Sequence, residues 1–342
     1  VKYYSISVIV PTYNYGHFIK DALESLFRQI YPEELVEIIV VDDGSTDDTR
    51  GTLKEYMDKI IYVYQENKGI ASARNLGMSL AKHEVITFLD SDDIWHEGRL
   101  QKIVDKFNEK QDAGMVYHPV EVINEAGSII HKNFYKTFGY KEGLSGWITN
   151  KILSGQIFCG GSSFAFRKSI IDRIYPVPDD IRRGVDYYIS VISSFYAQVG
   201  YISDILSKYR VHNSNLTLFS KELAMVNRDL AYMRQKVIDK ILSLDSPDMR
   251  KVDLGIIKRI QAKEMIFYNV LTGKRLDGIK RIPLLFKGNL SVKDLFKGIV
   301  ISFMSLFIPA FLYYKLVKVY ELFKKIKISG STKNLLKHLY WL

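Results

Sequence analysis

Four short apolar runs, each followed by a helix-like stripe, constrain the first half of this chain. Ile6-Ser7-Val8-Ile9-Val10, Glu37-Ile38-Ile39-Val40-Val41, residues 60–64 and Val85-Ile86-Thr87-Phe88-Leu89 read as strands, the last of them, short, β-branched and apolar, as a buried central one. Pro11 is expected to stop the first of them. A helix from about Tyr15 carries Phe18, Ala22, Leu26 and Ile30 on one stripe and ends at Pro32. Ser45 and Asp48 form a capping-box pattern before a helix with Leu53 and Met57. Residues 70–81 read as a helix whose Ala71, Ala73 and Gly77 are small enough for close packing, and a helix with Leu100, Ile103 and Phe107 follows the fourth strand. Such alternation argues for a parallel sheet with helices on both faces. The loops at 11–14, 42–45, 67–75 and 90–93 then gather along one edge, outside the carboxyl ends of the strands, where open α/β sheets bind ligands.

The last of those loops is Asp90-Ser91-Asp92-Asp93. Three carboxylates in four residues repel one another unless a cation holds them. Hard divalent ions such as Mg²⁺ and Mn²⁺ take one or two carboxylates together with substrate phosphates. The alternative is an acidic turn that caps the helix near Glu97. None of the loops carries the six-residue glycine fingerprint of dinucleotide binding or the Lys-Ser/Thr of a P-loop, which argues against nicotinamide oxidoreductases and P-loop NTPases.

Taken in order and spacing, the motifs resemble glycosyltransferase family 2. Those that carry the resemblance are Ser7-Val8-Ile9-Val10-Pro11-Thr12-Tyr13-Asn14, Val41-Asp42-Asp43-Gly44-Ser45-Thr46-Asp47-Asp48-Thr49, Asn67-Lys68-Gly69 with Ala71-Ser72-Ala73-Arg74-Asn75, and Phe88-Leu89-Asp90-Ser91-Asp92-Asp93. The resemblance covers roughly residues 5–217. It implies an inverting enzyme with a GT-A type, Rossmann-like, mixed and mostly parallel sheet flanked by helices. Pro11 and Tyr13 would line the nucleoside pocket of a nucleotide-diphosphate sugar, a UDP-sugar being the first choice. Asp43 would accept a hydrogen bond from the base imide, with Asp42 the less favoured residue for that contact and Arg74 on the same pocket. Asp92 would ligate Mn²⁺ or Mg²⁺, and Asp90 would serve the ribose or a metal-bound water. Asp93 is expected to cap the next helix.

For the second half, the resemblance makes Asp186, in Gly184-Val185-Asp186-Tyr187-Tyr188, the general base. Val185 departs from the family pattern, which usually has an acidic residue there. Asp179 and Asp180 are the rivals, and a helix N-cap is the alternative role for Asp186. Gly160-Gly161-Ser162-Ser163 with Phe166-Arg167 resembles the acceptor-side strand, where paired glycines allow close approach of a sugar or form a bulge. His212, in Tyr209-Arg210-Val211-His212, would reach the diphosphate or the metal. The Gln-X-X-Arg-Trp motif of processive synthases is absent, which favours transfer of one sugar to a glycan or lipid-linked acceptor. A sugar-phosphate nucleotidyltransferase and an inactive nucleotide-sugar-binding protein are the competing readings.

Charge separates the ends of the chain. Residues 1–220 hold 24 basic and 28 acidic side chains, a net of −4, whereas 221–342 hold 24 and 10, a net of +14. We expect a catalytic domain over 1–217 and a helical extension over 218–292, with Leu223, Val226, Leu230 and Met233 on a stripe. Residues 298–314 are uncharged, long enough for a helix of about 25 Å against a hydrocarbon core of about 30 Å, and contain Pro309. Lys315, Lys318, Lys324, Lys325 and Lys327 follow on an amphipathic segment. Residues 293–342 are therefore expected to associate with an anionic membrane surface, with a buried helix or oligomer contact as the alternative. Nucleic acid is not expected, because 17 uncharged residues offer nothing to phosphates. The single cysteine, Cys159, excludes an internal disulfide and suits a reducing compartment. With no signal-peptide pattern before the first strand, the expectation is a cytoplasmic protein on the inner face of a membrane.

Overall fold

The computed structural model describes residues 2–157, 160–215, 223–244 and 255. In chain order the elements are β1 (Ile6–Thr12), α1 (Gly16–Phe27), β2 (Val36–Asp42), α2 (Thr49–Leu53), β3 (Ile61–Tyr64), α3 (Ile70–Leu80), β4 (Val85–Phe88), β5 (Ile94–Trp95) and α4 (Arg99–Glu109). There follow β6 (Ala113–Tyr117), β7 (Val120–Asn124), β8 (Ile129–His131), α5 (Phe134–Phe138), α6 (Thr149–Leu153), β9 (Phe164–Arg167), α7 (Lys168–Ile174), α8 (Val185–Tyr196), β10 (Gln198–Tyr201), β11 (Ser207–Val211) and α9 (Leu223–Ser243).

The four apolar runs of the first half are β1 to β4, and they pair in parallel in the order β4-β1-β2-β3. Alternation sends Val8 and Val10 into one core with Ile19, Leu23, Leu100, Ile103 and Phe107 of α1 and α4. Burying side chains of this size stabilises by about 1.5–3 kcal/mol each. Ile9 faces the other side and meets α3, where a Cβ on Gly77 would fall 2.3 Å from Ile9 Cγ2. The small residues of α3 thus do permit close packing.

The sheet has seven strands in the order β10-β6-β9-β4-β1-β2-β3, with β9 antiparallel to both β4 and β6. It is therefore mixed and mostly parallel. A second sheet, β5-β11-β7-β8, pairs β11 antiparallel to β5 and parallel to β7.

Four local expectations are corrected. Pro11 does not end β1 but pairs with Val41 inside it. Leu89 N–H donates to the Ile9 carbonyl, so Pro11, two residues on, turns its missing N–H towards β4 only after β4 has ended. Ile30 is 68% exposed, because α1 stops at Phe27 and the chain turns away. The capping box at Ser45 and Asp48 is not formed. Asp47 Oδ1 instead accepts from the Thr49 N–H at 3.0 Å, and Met57 lies beyond α2. Asp93 caps no helix, since α4 starts after Gly98 without a side-chain cap.

The chain divides into two compact units, Val1–Lys221 with Met233–Asp253, and Glu222–Tyr232 with Leu254–Leu342. All eleven strands found among the described residues belong to the first. Val226 and Met233 of the expected stripe are buried on α9, and Leu230 is partly buried. Cys159, most of 218–292, and the whole of 293–342 lie outside the described residues. No helix among the described residues is long and apolar enough to cross a membrane.

Candidate active site

The first two loops are tied by Asn14, a non-glycine residue with φ of 56°. Its Oδ1 accepts from the Thr46 N–H at 2.7 Å, and its own N–H donates to Ser45 Oγ at 2.9 Å. Pro11 is buried, whereas Tyr13 is 44% exposed and open to a ligand, so it is not a core aromatic. Asp42 is spent on structure, accepting from the Ser45 N–H and the Tyr62 hydroxyl. Burial and Asp42 push that hydroxyl up to about 12. Asp43 organises the third loop. Its Oδ1 accepts from Gln65 Nε2 at 2.6 Å and the Lys68 N–H at 2.9 Å, and its Oδ2 from the Gly69 N–H at 2.9 Å. Oδ2 thus carries the lighter load. Gly69, with φ of 90°, turns the chain into α3.

α3 delivers Arg74, which is buried rather than in a surface pair. Nη2 donates to Asp90 Oδ1 at 2.7 Å and Nη1 donates to Asp186 Oδ1. Asp186 and the first acid of the Asp90-Ser91-Asp92-Asp93 loop are thereby joined through one guanidinium. Asp186 lies in the first turn of α8, where the helix dipole favours a carboxylate. It is no N-cap, a position held by Gly184 with φ of 76°. The rivals are engaged elsewhere: Asp179 accepts from Asn75 Nδ2 at 2.6 Å, and Asp180 pairs with Lys236 at 2.7 Å.

At the end of β4, the Asp90 N–H donates to Ser162 Oγ at 3.0 Å. Burial pushes the Asp90 carboxyl up to about 7 against the pull of Arg74, with Asp186 and Asp92 adding to the rise. Pairing of β5 with β11 fixes Ser207 opposite Trp95 and Lys208 opposite Ile94, so the next residues of β11 run back past Asp93 and Asp92. The Arg210 N–H accordingly donates to Asp93 Oδ1 at 2.9 Å, and Arg210 Nε to the Asp92 carbonyl at 2.8 Å. This is the work of Asp93 in place of helix capping. Burial, with Asp92 and Asp90 beside it, raises its carboxyl well above the usual range.

His212 reaches Asp92, with Nε2 at 2.9 Å from Oδ2. The Ser214 N–H donates to His212 Nδ1 at 3.2 Å, so Nε2 carries the proton and donates to Asp92. Phe18 and Tyr15 flank the imidazole at ring-centre distances of 4.8 and 5.4 Å. Asn215 Nδ2 lies 3.4 Å from the same Asp92 oxygen. Among the described residues no three His, Cys, Asp or Glu converge as a ready-made metal cage.

Gly161 has a use that its sequence did not suggest. A Cβ there would meet Arg74 Nη2 at 2.6 Å, Asp186 Oδ1 at 2.8 Å and Asp90 Oδ2 at 2.9 Å. Ser162, Arg210 and Asn215 also escaped sequence reasoning as site residues. Ser162 and Arg210 lie in motif stretches and Asn215 three residues beyond His212, but each has its partner 72 to 123 residues away.

A mixed sheet whose acidic loop follows a central strand, faced by a carboxylate at a helix start, defines a GT-A fold. Residues 7–175 match the glycosyl transferase family 2 model. The glycosyltransferase alr2836 of Nostoc sp. is 32% identical over 218 residues, 61% of this chain and 66% of that relative. The chain thus spans just under two thirds of it. S. aureus TarS, solved with UDP-GlcNAc, shares the fold at a TM-score of 0.61 and 19% identity, covering 82% of this chain and 81% of that one. The mannosyltransferase PcManGT of Pyrobaculum calidifontis, solved with GDP-Man and Mn²⁺, has a TM-score of 0.53 at 17% identity, over 95% and 89% of the two chains. Residues 7–175 of the present chain are a glycosyltransferase family 2 domain.

Proposed function

We propose that this protein moves one sugar from a nucleotide-diphosphate sugar, a UDP-sugar, to a hydroxyl of a lipid-linked or cell-surface glycan, with inversion. The observation that carries the reading is the junction of Asp90, Arg74 and Asp186 over Gly161, beside the Asp92–His212 pair. The binding of UDP-GlcNAc by TarS supports the choice of donor. Pro11, Tyr13 and Asp43 hold the nucleoside, with Asp43 Oδ2 turned to the base imide and Arg74 reaching the same site through Asp90.

The donor set suits Mn²⁺ or Mg²⁺. Asp92 would hold the ion with Asp90 beside it, and His212 would join them through Nε2 on giving up the proton it shares with Asp92, its Nδ1 then releasing the Ser214 N–H. Hard ions complete their shell with phosphate and water, so a full protein cage is not required. When bound, the cation supplies Lewis-acid stabilisation of the departing diphosphate. Asp186 takes the proton from the acceptor hydroxyl as its oxygen attacks the anomeric carbon.

The catalytic domain is assigned to 1–217, a helical extension to 218–292 and a membrane-associating segment to 293–342. The lysine-flanked uncharged run in that last segment supports docking on an anionic membrane surface. A panel of sugar nucleotides with and without Mn²⁺ tests donor and metal together. Asp186→Asn is expected to keep donor binding and lose about 10²–10⁴-fold in transfer. Asp92→Ala is expected to abolish metal-dependent turnover, and undiminished activity in chelator would overturn the metal assignment.

A further inference from the structure

Arg74 is 1% exposed, and its two terminal nitrogens are engaged while its buried Nε has no hydrogen-bond partner among the described residues. It leaves α3 between the Asp90 and Asp186 carboxylates. The Phe88 ring lies 5.1 Å from its central carbon. Gly161 closes against it so tightly that one added carbon would touch all three charged groups. Two carboxylates drawn from a strand end and a helix start repel one another. A guanidinium is a rigid planar fork with separate donors for each, whereas an ammonium is a point charge on a flexible stem.

We propose that Arg74 is a positioning residue: it fixes the separation between Asp90 on the donor side and Asp186 on the acceptor side, with Gly161 as the wall that keeps the three groups in register. The proposal rests on the reading of Asp186 as the base. It changes what Arg74 does for the nucleotide, because the guanidinium acts through the two carboxylates rather than by gripping the donor itself. A base must lie within hydrogen-bond reach of the hydroxyl it deprotonates. Misplacement by about 1 Å costs on the order of 10²-fold in rate.

Two variants of the full chain test this in different ways. Arg74→Lys keeps the charge and loses the fork. Gly161→Ala keeps every charged group and displaces all three. Calorimetric titration with UDP in Mn²⁺ reads donor affinity, and initial rates on the sugar nucleotide selected by the panel read kcat. Both variants are expected to keep UDP affinity within about tenfold of the parent, the loss that displacing Asp90 allows, and to lose about 10²-fold in kcat. A fall of about tenfold or more in UDP affinity with kcat retained makes Arg74 a nucleotide ligand and overturns the proposal. Asp186→Asn separates the two layers of inference. If it transfers normally, the base assignment has failed whatever Arg74 does. If it is inactive while Arg74→Lys keeps the parental kcat, only the positioning role has failed.

Discussion

Asp90 is pulled in opposite directions, and the balance should be visible in solution. Burial moves its carboxyl from an ordinary 3.8 to about 7 although Arg74 holds it down. A carboxyl that binds its proton more tightly when folded than when unfolded favours the fold at low pH. That contribution is present below about pH 4 and is lost as pH rises towards 7. In the absence of divalent ions, the thermal midpoint of the parent protein should therefore fall over this interval relative to Asp90→Asn, which has no proton to lose. Since a metal competes with that proton, Mn²⁺ affinity should strengthen across the same window. Identical pH profiles for parent and Asp90→Asn would show that Asp90 ionises freely.

At the scale of elements, Asp47 ties the start of α2 to α1. Its Oδ1 accepts from the Thr49 N–H and hydroxyl, and its Oδ2 accepts from the Gly16 N–H at 3.0 Å. Asp47→Ala should cost about 0.5–2 kcal/mol in denaturant unfolding. Asp48→Ala should cost less, and the reverse order would restore the capping box that the sequence suggested. Local spacing misjudged that cap because two neighbouring aspartates offer the same signal and only the fold chooses between them. The parallel strands β1, β2 and β4 were legible because burial in the sheet writes itself as an unbroken apolar run, whereas β3, at the sheet edge with Ile61 and Tyr64 exposed, was legible from its β-branched and aromatic residues. Their loops were legible because the resemblance named them. What could not be read was pairing over distance. β9 returns between β4 and β6, and β11 comes back to β5 with Arg210 and His212. Nothing near Asp93 in sequence distinguishes it from a helix cap, because its partner, the Arg210 N–H, lies 117 residues on.

For the whole molecule, the excess of basic side chains in residues 221–342 sets a further test. Deleting 293–342 should abolish co-sedimentation with anionic vesicles while binding of UDP in Mn²⁺ persists. Association of the full chain should weaken with salt through screening of the lysines without vanishing, because apolar insertion is not screened. Equal pelleting of both forms would leave an oligomer contact as the better account of the tail. The antiparallel insertion of β9 bears on a different matter, the order in which a growing chain becomes competent. Val85 of β4 pairs with Arg167, so this edge stays open while roughly 80 more residues are made, on the order of 5–15 s at ribosomal speed. An unpaired strand edge of Val85-Ile86-Thr87-Phe88 is a template for association with other chains. Arg74 and Asp90 are synthesised long before Asp186, and Asp92 before His212. On the proposed roles, most of the donor side is thus made before the base, and His212 completes it afterwards. If those roles hold, a nascent chain would spend no sugar nucleotide, since Asp186 and His212 are made after the rest of the site.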